Sequence, residues 1–235
     1  MRIFYKSVQL PAYVLAISLM LFSTCKVSAQ RETRDVGFFN KISFTTGGYL
    51  EIVQGDTIKV ELEGPQSVLE KIITTVDRDR LRIYTKKFID QYGDLKIYIT
   101  VRNLTDITVT GSGDVVVNSK LKTESINLEV TGSGNIRIPD LNSIYTELQV
   151  TGSGDIVVKG ISKEKIDVNV TGSGDVKASD YETKHADINI TGSGSVEIYA
   201  TDKLEGNIVG SGSIYYKGDP LIDTRSTGSG RTKPL

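Results

Sequence analysis

The chain has no tryptophan, one histidine and one cysteine in 235 residues. Scarce histidine removes the commonest general base and zinc ligand, leaving only His185 for such chemistry. The lone cysteine, Cys25, lies near the N-terminus, so the rest of the chain cannot form a disulfide. There is no basic run, which argues against nucleic acid as a partner. There is also no long apolar run. Ala12–Phe22 spans eleven residues, too few to cross a bilayer at about 1.5 Å rise per residue, so no membrane span is expected in the mature chain.

That short run has another meaning. Arg2 and Lys6 precede it and Val27-Ser28-Ala29 follows, the pattern of a signal peptide over residues 1–29. A lipoprotein signal with Cys25 lipidated is the second reading, because Phe22-Ser23-Thr24 departs from the usual Leu-Ala-Gly. Residues 1–29 carry Arg2, Lys6 and Lys26 and no acid; without them 25 basic side chains face 29 acidic ones, a net charge of −4. An exported chain without disulfides depends on its backbone ladder and core.

Glycine, by contrast, is plentiful, and its placement is regular. Of 23 glycines, fourteen lie in seven Gly-Ser-Gly tripeptides. Thr-Gly-Ser-Gly occurs at Thr110, Thr131, Thr151, Thr171, Thr191 and Thr227, with Val209-Gly-Ser-Gly as a variant. Successive steps are 21, 20, 20, 20, 18 and 18 residues. A fixed period near twenty predicts a solenoid, each repeat one coil that cannot bury its apolar face alone. Apolar residues alternate with polar ones before the motif (Ile166, Val168, Val170 against Asp167, Asn169) and after it (Val115, Ile136, Ile156, Val176, Val196, Ile214). This is period 2, one face inward and one to water. The unit reads strand, Thr-Gly-Ser-Gly, strand, loop. The glycine pair predicts a corner that needs positive φ, or a column where only a hydrogen atom fits. The serine is a candidate for a hydroxyl ladder.

The expected organisation is a polar leader at 30–37 and a single all-β solenoid at 38–235. Within it, 38–103 reads as degenerate N-terminal coils and 104–230 as the repeats. Leu50–Gln54 and Thr57–Leu62 read as strands about a Gly55-Asp56 turn, and Leu81–Tyr84 and Leu95–Val101 as further strands. Ser67–Asp77 is ambiguous between strand and a short helical turn.

The signal peptide, Gln54-Gly55-Asp56, Gly64-Pro65, the repeated Gly-Ser-Gly-Asp-(Val/Ile) and Gly218-Asp219-Pro220 together resemble the DUF2807 family. That family is described as auto-transporter adhesins with a head GIN domain and is common in the Bacteroidetes. The resemblance covers roughly residues 38–230. It implies a right-handed parallel β-helix with coils of about 20 residues, exported to the cell envelope. It carries over no catalytic residues.

The residues after each Gly-Ser-Gly are Asp114, Asn135, Asp155, Asp175, Ser195, Ser213 and Arg231. Stacked Asp is similar to calcium-binding β-rolls, but their repeat is a nonapeptide. Two carboxylates 5 Å apart in water repel by only about 0.8 kcal/mol, so no cation is required. An Asp that bonds nearby backbone N–H groups is the simpler reading. Threonine and serine columns could bind a glycan or ice, although a bend at each glycine pair argues against an ice-binding plane. Tyr49, Tyr84, Tyr98, Tyr199, Tyr215 and Tyr216 could form a carbohydrate platform, or simply pack. His185 reads as a surface residue of a polar loop. A polysaccharide-cleaving β-helix would need clustered carboxylates in register, and none is legible.

The sequence therefore predicts an exported, non-enzymatic, adhesin-like scaffold, with no catalytic, cofactor or metal residues assigned. Its partner would be a protein or glycan at the cell surface, and the exported chain would lie in the periplasm, on the outer membrane surface or outside the cell. A glycan- or calcium-binding module and a polysaccharide-cleaving enzyme are the alternatives. Oligomeric state is not legible.

Overall fold

The computed structural model describes residues 30–86, 92 and 94–235. The signal-peptide reading of residues 1–29, Cys25 included, lies outside them. The described residues form eighteen strands and one short helix, in chain order. The N-terminal part holds β1 (Gln30–Arg34), β2 (Lys41–Thr45), β3 (Tyr49–Gln54), β4 (Lys59–Gly64), α1 (Gln66–Leu69), β5 (Ile72–Asp77), β6 (Arg80–Thr85) and β7 (Lys96–Val101). The repeats hold β8 (Asp106–Gly111), β9 (Asp114–Val117), β10 (Leu121–Lys122), β11 (Ser125–Gly132), β12 (Asn135–Gly152), β13 (Ile156–Gly172), β14 (Val176–Gly192), β15 (Ser195–Gly210), β16 (Ser213–Lys217), β17 (Leu221–Gly228) and β18 (Thr232–Pro234). They wind a parallel β-solenoid of about six turns.

Each coil has three sides. The first, before the glycine corner, stacks β8, β11, the later halves of β12 to β15, and β17. The second, after the corner, stacks β9, the leading halves of β12 to β15, β16 and β18. The third runs through the middle of the long strands, where Leu121, Leu141, Gly160 and Tyr181 lie in register. The unit's expected loop is thus itself largely laddered. Like sits on like: Leu128, Leu148, Val168 and Ile188 form one buried column. Aliphatic residues of similar size at a strand spacing of about 4.8 Å fill the interior without a lumen-wide mismatch.

The two glycines of each corner serve different needs. The first has positive φ, from +109° at Gly111 to +131° at Gly228. The second has no such φ but no room: a Cβ on Gly154 would lie 2.0 Å from Gly134 O and 2.7 Å from Val130 Cγ1. The backbone explains the tightness. Ser133 and Gly134 N–H groups both donate to Gly111 O, at 2.8 and 2.9 Å, and the same pair of bonds recurs down to Ser229 and Gly230 on Gly210 O. One carbonyl per coil is held by two donors of the next, so the corners must approach closely. Both sequence-based explanations of the glycines hold: from Gly132 on the first glycine combines positive φ with a Cβ position 2.2–2.5 Å from the previous corner's carbonyl oxygen, and the second is constrained by lack of room alone. The serines between them face solvent.

The N-terminal part departs from simple stacking. β2 lies between β6 and β8, and β3 between β7 and β9, all parallel. The coil written first in the sequence is therefore the second in space. Outside it, β4 runs antiparallel to β7, β1 antiparallel to β4, and β5 antiparallel to β6. Residues 30–37, expected as a polar leader, include β1, and 38–103 are not coils in sequence order. The cause is the edge. A parallel stack ends in unpaired N–H and C=O groups, and strands reversed by short turns cover them. Ser67–Asp77 resolves into both of its readings, α1 with Val68 and Leu69 buried, then β5.

Candidate functional site

The first side carries the most regular outer surface. Its strands alternate, so every second residue points to water, and the register turns these residues into rows along the solenoid axis. One row runs Asp106, Asn127, Glu147, Asp167, Asp187, Glu205, Asp223. The next runs Thr108, Glu129, Gln149, Asn169, Asn189, Asn207, Arg225. A third runs Thr110, Thr131, Thr151, Thr171, Thr191, Val209, Thr227. A fourth, toward the third side, holds Tyr145, Lys165, His185, Lys203 and Leu221. Acid, amide and hydroxyl rows thus lie side by side.

Electrostatics accounts for how the acidic row is tolerated. Lys165 Nζ is 2.6 Å from Asp167 and 3.9 Å from Asp187, and Lys203 Nζ is 2.8 Å from Glu205. The hydrogen bond to Asp167 raises Lys165 above the ordinary lysine value, and the bond from Lys203 lowers Glu205. These groups are about half exposed, so the pairs are screened and each is worth little. The row's first acid differs. Asp106 is buried and accepts from Arg80 at 2.5 Å and from Thr108 and Asn127 at 3.2 Å, so the Arg80 guanidinium neutralises the end of the row. Beside it a surface groove of about 820 Å³ is lined by Lys41, Asn103, Asp106, Lys122, Glu124 and Lys163.

The column after Gly-Ser-Gly has a structural use. Asn135 Nδ2 donates to Asp114, and Asn135, Asp155 and Asp175 side chains accept from the backbone N–H of Asp155, Asp175 and Ser195 at 2.8 to 3.0 Å. Each side chain thus holds the next coil just past its corner, a use the turn reading of Asp only partly anticipated. Among the described residues no group of three His, Cys, Asp or Glu side chains is placed to hold a metal.

The tyrosines do not form one platform. Tyr84 is on the first side; Tyr49, Tyr98, Tyr199 and Tyr215 are on the second, Tyr49 diagonal to Tyr98 and Tyr199 diagonal to Tyr215 in separate strand pairings; Tyr216 packs against the core. Tyr98 carries the Arg31 guanidinium 4.7 Å above its ring. His185 lies in β14, not in a loop, and is exposed. Sequence reasoning missed Tyr145, 54% exposed at the head of the fourth row, and the Arg80–Asp106 pair. It also missed Tyr181, whose buried hydroxyl is 2.7 Å from both Ser143 and Thr146. Only the third-side register, interrupted by bulges, brings these together.

A capped parallel β-solenoid with glycine corners and a ruled polar face is what the geometry defines. The chain belongs to the DUF2807 family, described as "Putative auto-transporter adhesin, head GIN domain", whose model matches residues 38–220. A structure from Bacteroides fragilis described as a "putative adhesin" superposes with a TM-score of 0.85 at 26% identity, covering 88% of this chain and 97% of that one. One from Parabacteroides distasonis, described as a "Putative lipid binding protein", has a TM-score of 0.75 at 26% identity, covering 89% and 98%. A "putative adhesin" from Parabacteroides merdae, 21% identical with a TM-score of 0.72 and covering 89% and 97%, shares the fold. No curated protein is significantly similar to the chain.

Proposed function

We propose that the chain is a non-catalytic, adhesin-like scaffold of the cell envelope that binds an extended polar ligand, protein or glycan, along its first side. The observation that carries this reading is the ruled face: acid, amide and hydroxyl rows repeat at one strand spacing over successive coils. A surface of that periodicity offers many weak, equivalent hydrogen bonds, which suits a repetitive partner and avidity. The single histidine and the ion pairs of Asp106, Asp167, Asp187 and Glu205 favour recognition over acid–base catalysis. The reading includes export through the leader.

The test is binding of the protein to glycan arrays, bacterial surfaces and lipid vesicles, with and without Glu147→Arg, Asn169→Arg and Asp187→Arg together. These residues are outward, so the melting temperature should hold. Loss of binding with folding retained supports the reading. Undiminished binding to cells or glycans moves the site off this face. Capture by vesicles alone favours a lipid surface. An interior filled by fully buried Ile, Leu and Val leaves a lipid only the outer faces.

A further inference from the structure

The two ends of the solenoid are unlike. At one, β4 and β5 run antiparallel to the last coil's strands and β1 runs antiparallel to β4, leaving β1 and β5 as the outermost strands. At the other, among the described strands, β17 pairs only with β15 and β18 only with β16. The direction of the free groups on β17 follows from the ladder. Asn127 N–H donates back to Thr105 O, one residue before its register partner Asp106. Asp223 stands in the same row as Asn127, and Ser229 N–H likewise donates back, to Gly210 O. Alternation along the strand then turns Asp223, Arg225 and Thr227 toward β15. It leaves the N–H and C=O of Ile222, Thr224 and Ser226 at the open edge. β18 is blunted by comparison: it has three residues, and Pro234 has no N–H to offer.

We propose that β17 is a self-pairing edge, and that two copies of this chain join end to end through antiparallel β17 strands centred on Thr224. The register is specified by charge. With Thr224 on the two-fold axis, the open-edge groups of Ile222, Thr224 and Ser226 meet those of Ser226, Thr224 and Ile222. Asp223 of each copy then lies opposite Arg225 of the other, twice over. Moving the centre to Asp223 or to Arg225 sets like charges face to face, which is destabilising for directly opposed residues. A shift of one residue offers groups already bonded to β15. Asp223 and Arg225 are exposed and have no ion-pair partner among the described residues. Leu221 at 79% and Ile222 at 46% exposure add apolar area to the same strand. Two-fold pairing also uses up the β17 edge of both copies, so this contact adds no third copy.

The test is sedimentation velocity on the full chain expressed with its own leader. The wild type should dimerise. Arg225→Asp and Asp223→Arg should each weaken the dimer by at least about tenfold. Mixing the two single variants should give a heterodimer, because each copy then offers two charges of one sign to two of the other. The double variant carrying both changes should dimerise again. Circular dichroism checks that each variant folds. A monomeric wild type overturns the proposal. So does a dimer indifferent to the single changes, or a failure of both the mixture and the double variant to restore it.

Discussion

The N-terminal hundred residues and the repeats that follow use the same alternation to opposite ends. In the repeats every coil copies its neighbour, so position along the chain equals position along the axis. In the N-terminal part, β2 and β3 are inserted between the coil made by β6 and β7 and the first repeat, and β4 and β5 run against the stack. Repetition makes a stack but cannot end one, because a copy always exposes another edge. Ending it takes residues that break the copy. The contrast shows in the polar groups too: the cap region meets the repeats through the partly buried Arg80–Asp106 pair, whereas the repeats hold one another by exposed pairs such as Lys120–Asp140.

The sharpest way to probe this contrast is at the corners. Gly154→Ala places a methyl against Gly134 O within a stack that cannot open, and should cost more than about 4 kcal/mol or abolish folding. Gly111→Ala has the positive φ of the other corners but nothing within 4 Å of the new Cβ, because no repeat corner precedes it. Its cost should be the backbone strain alone, about 1–3 kcal/mol. Equal losses in denaturant titrations would undo the claim that stacking, and not φ, dominates.

Arg80→Ala should come next. It strips a charged partner from the buried Asp106 and should lower stability by about 1–3 kcal/mol. Lys120→Ala, which breaks a half-exposed pair, should change it by about 0.5 kcal/mol or less. Comparable urea midpoints for the two variants would mean that the junction is no more tightly bound than the surface. Tyr181→Phe should cost about 1 kcal/mol in the same assay. Ser143 and Thr146 keep their own 2.6 Å bond when the phenol is lost, so little is left unpaired.

The smallest effect is a dependence on pH. Lys159 and Lys217 hydrogen-bond to Asp180 and hold its carboxyl below its ordinary value of 3.8. A lowered folded value means the contribution is full above that ordinary value and is lost as the pH falls through the folded one. The melting-temperature gap between wild type and Asp180→Asn should therefore close on acidification from pH 7. A gap that widened would reverse the assignment.

The repeat fold was legible because one period recurs. Thr-Gly-Ser-Gly marks each corner, and Ile166, Val168 and Val170 against Asp167 and Asn169 mark the faces. The outer rows were legible as alternation but not as rows, since Lys165 and Asp187 become neighbours only after coils register. His185 reads as a loop residue in sequence, and Tyr145 does not stand out, because bulges hide the period on the third side. The order of the N-terminal coils was not legible at all. β2 is apolar and alternating whether it lies beside β6, β8 or both.

By itself the sequence determined that the chain would coil, how long each coil would be and which side chains would face in, since these depend on local spacing and on glycine. The tertiary structure decided which coil stands next to which at the N-terminal end, which acids are shielded and which edge is left open. Those outcomes depend on hydrogen bonds between segments far apart in the chain, and alternation alone does not distinguish among possible partners.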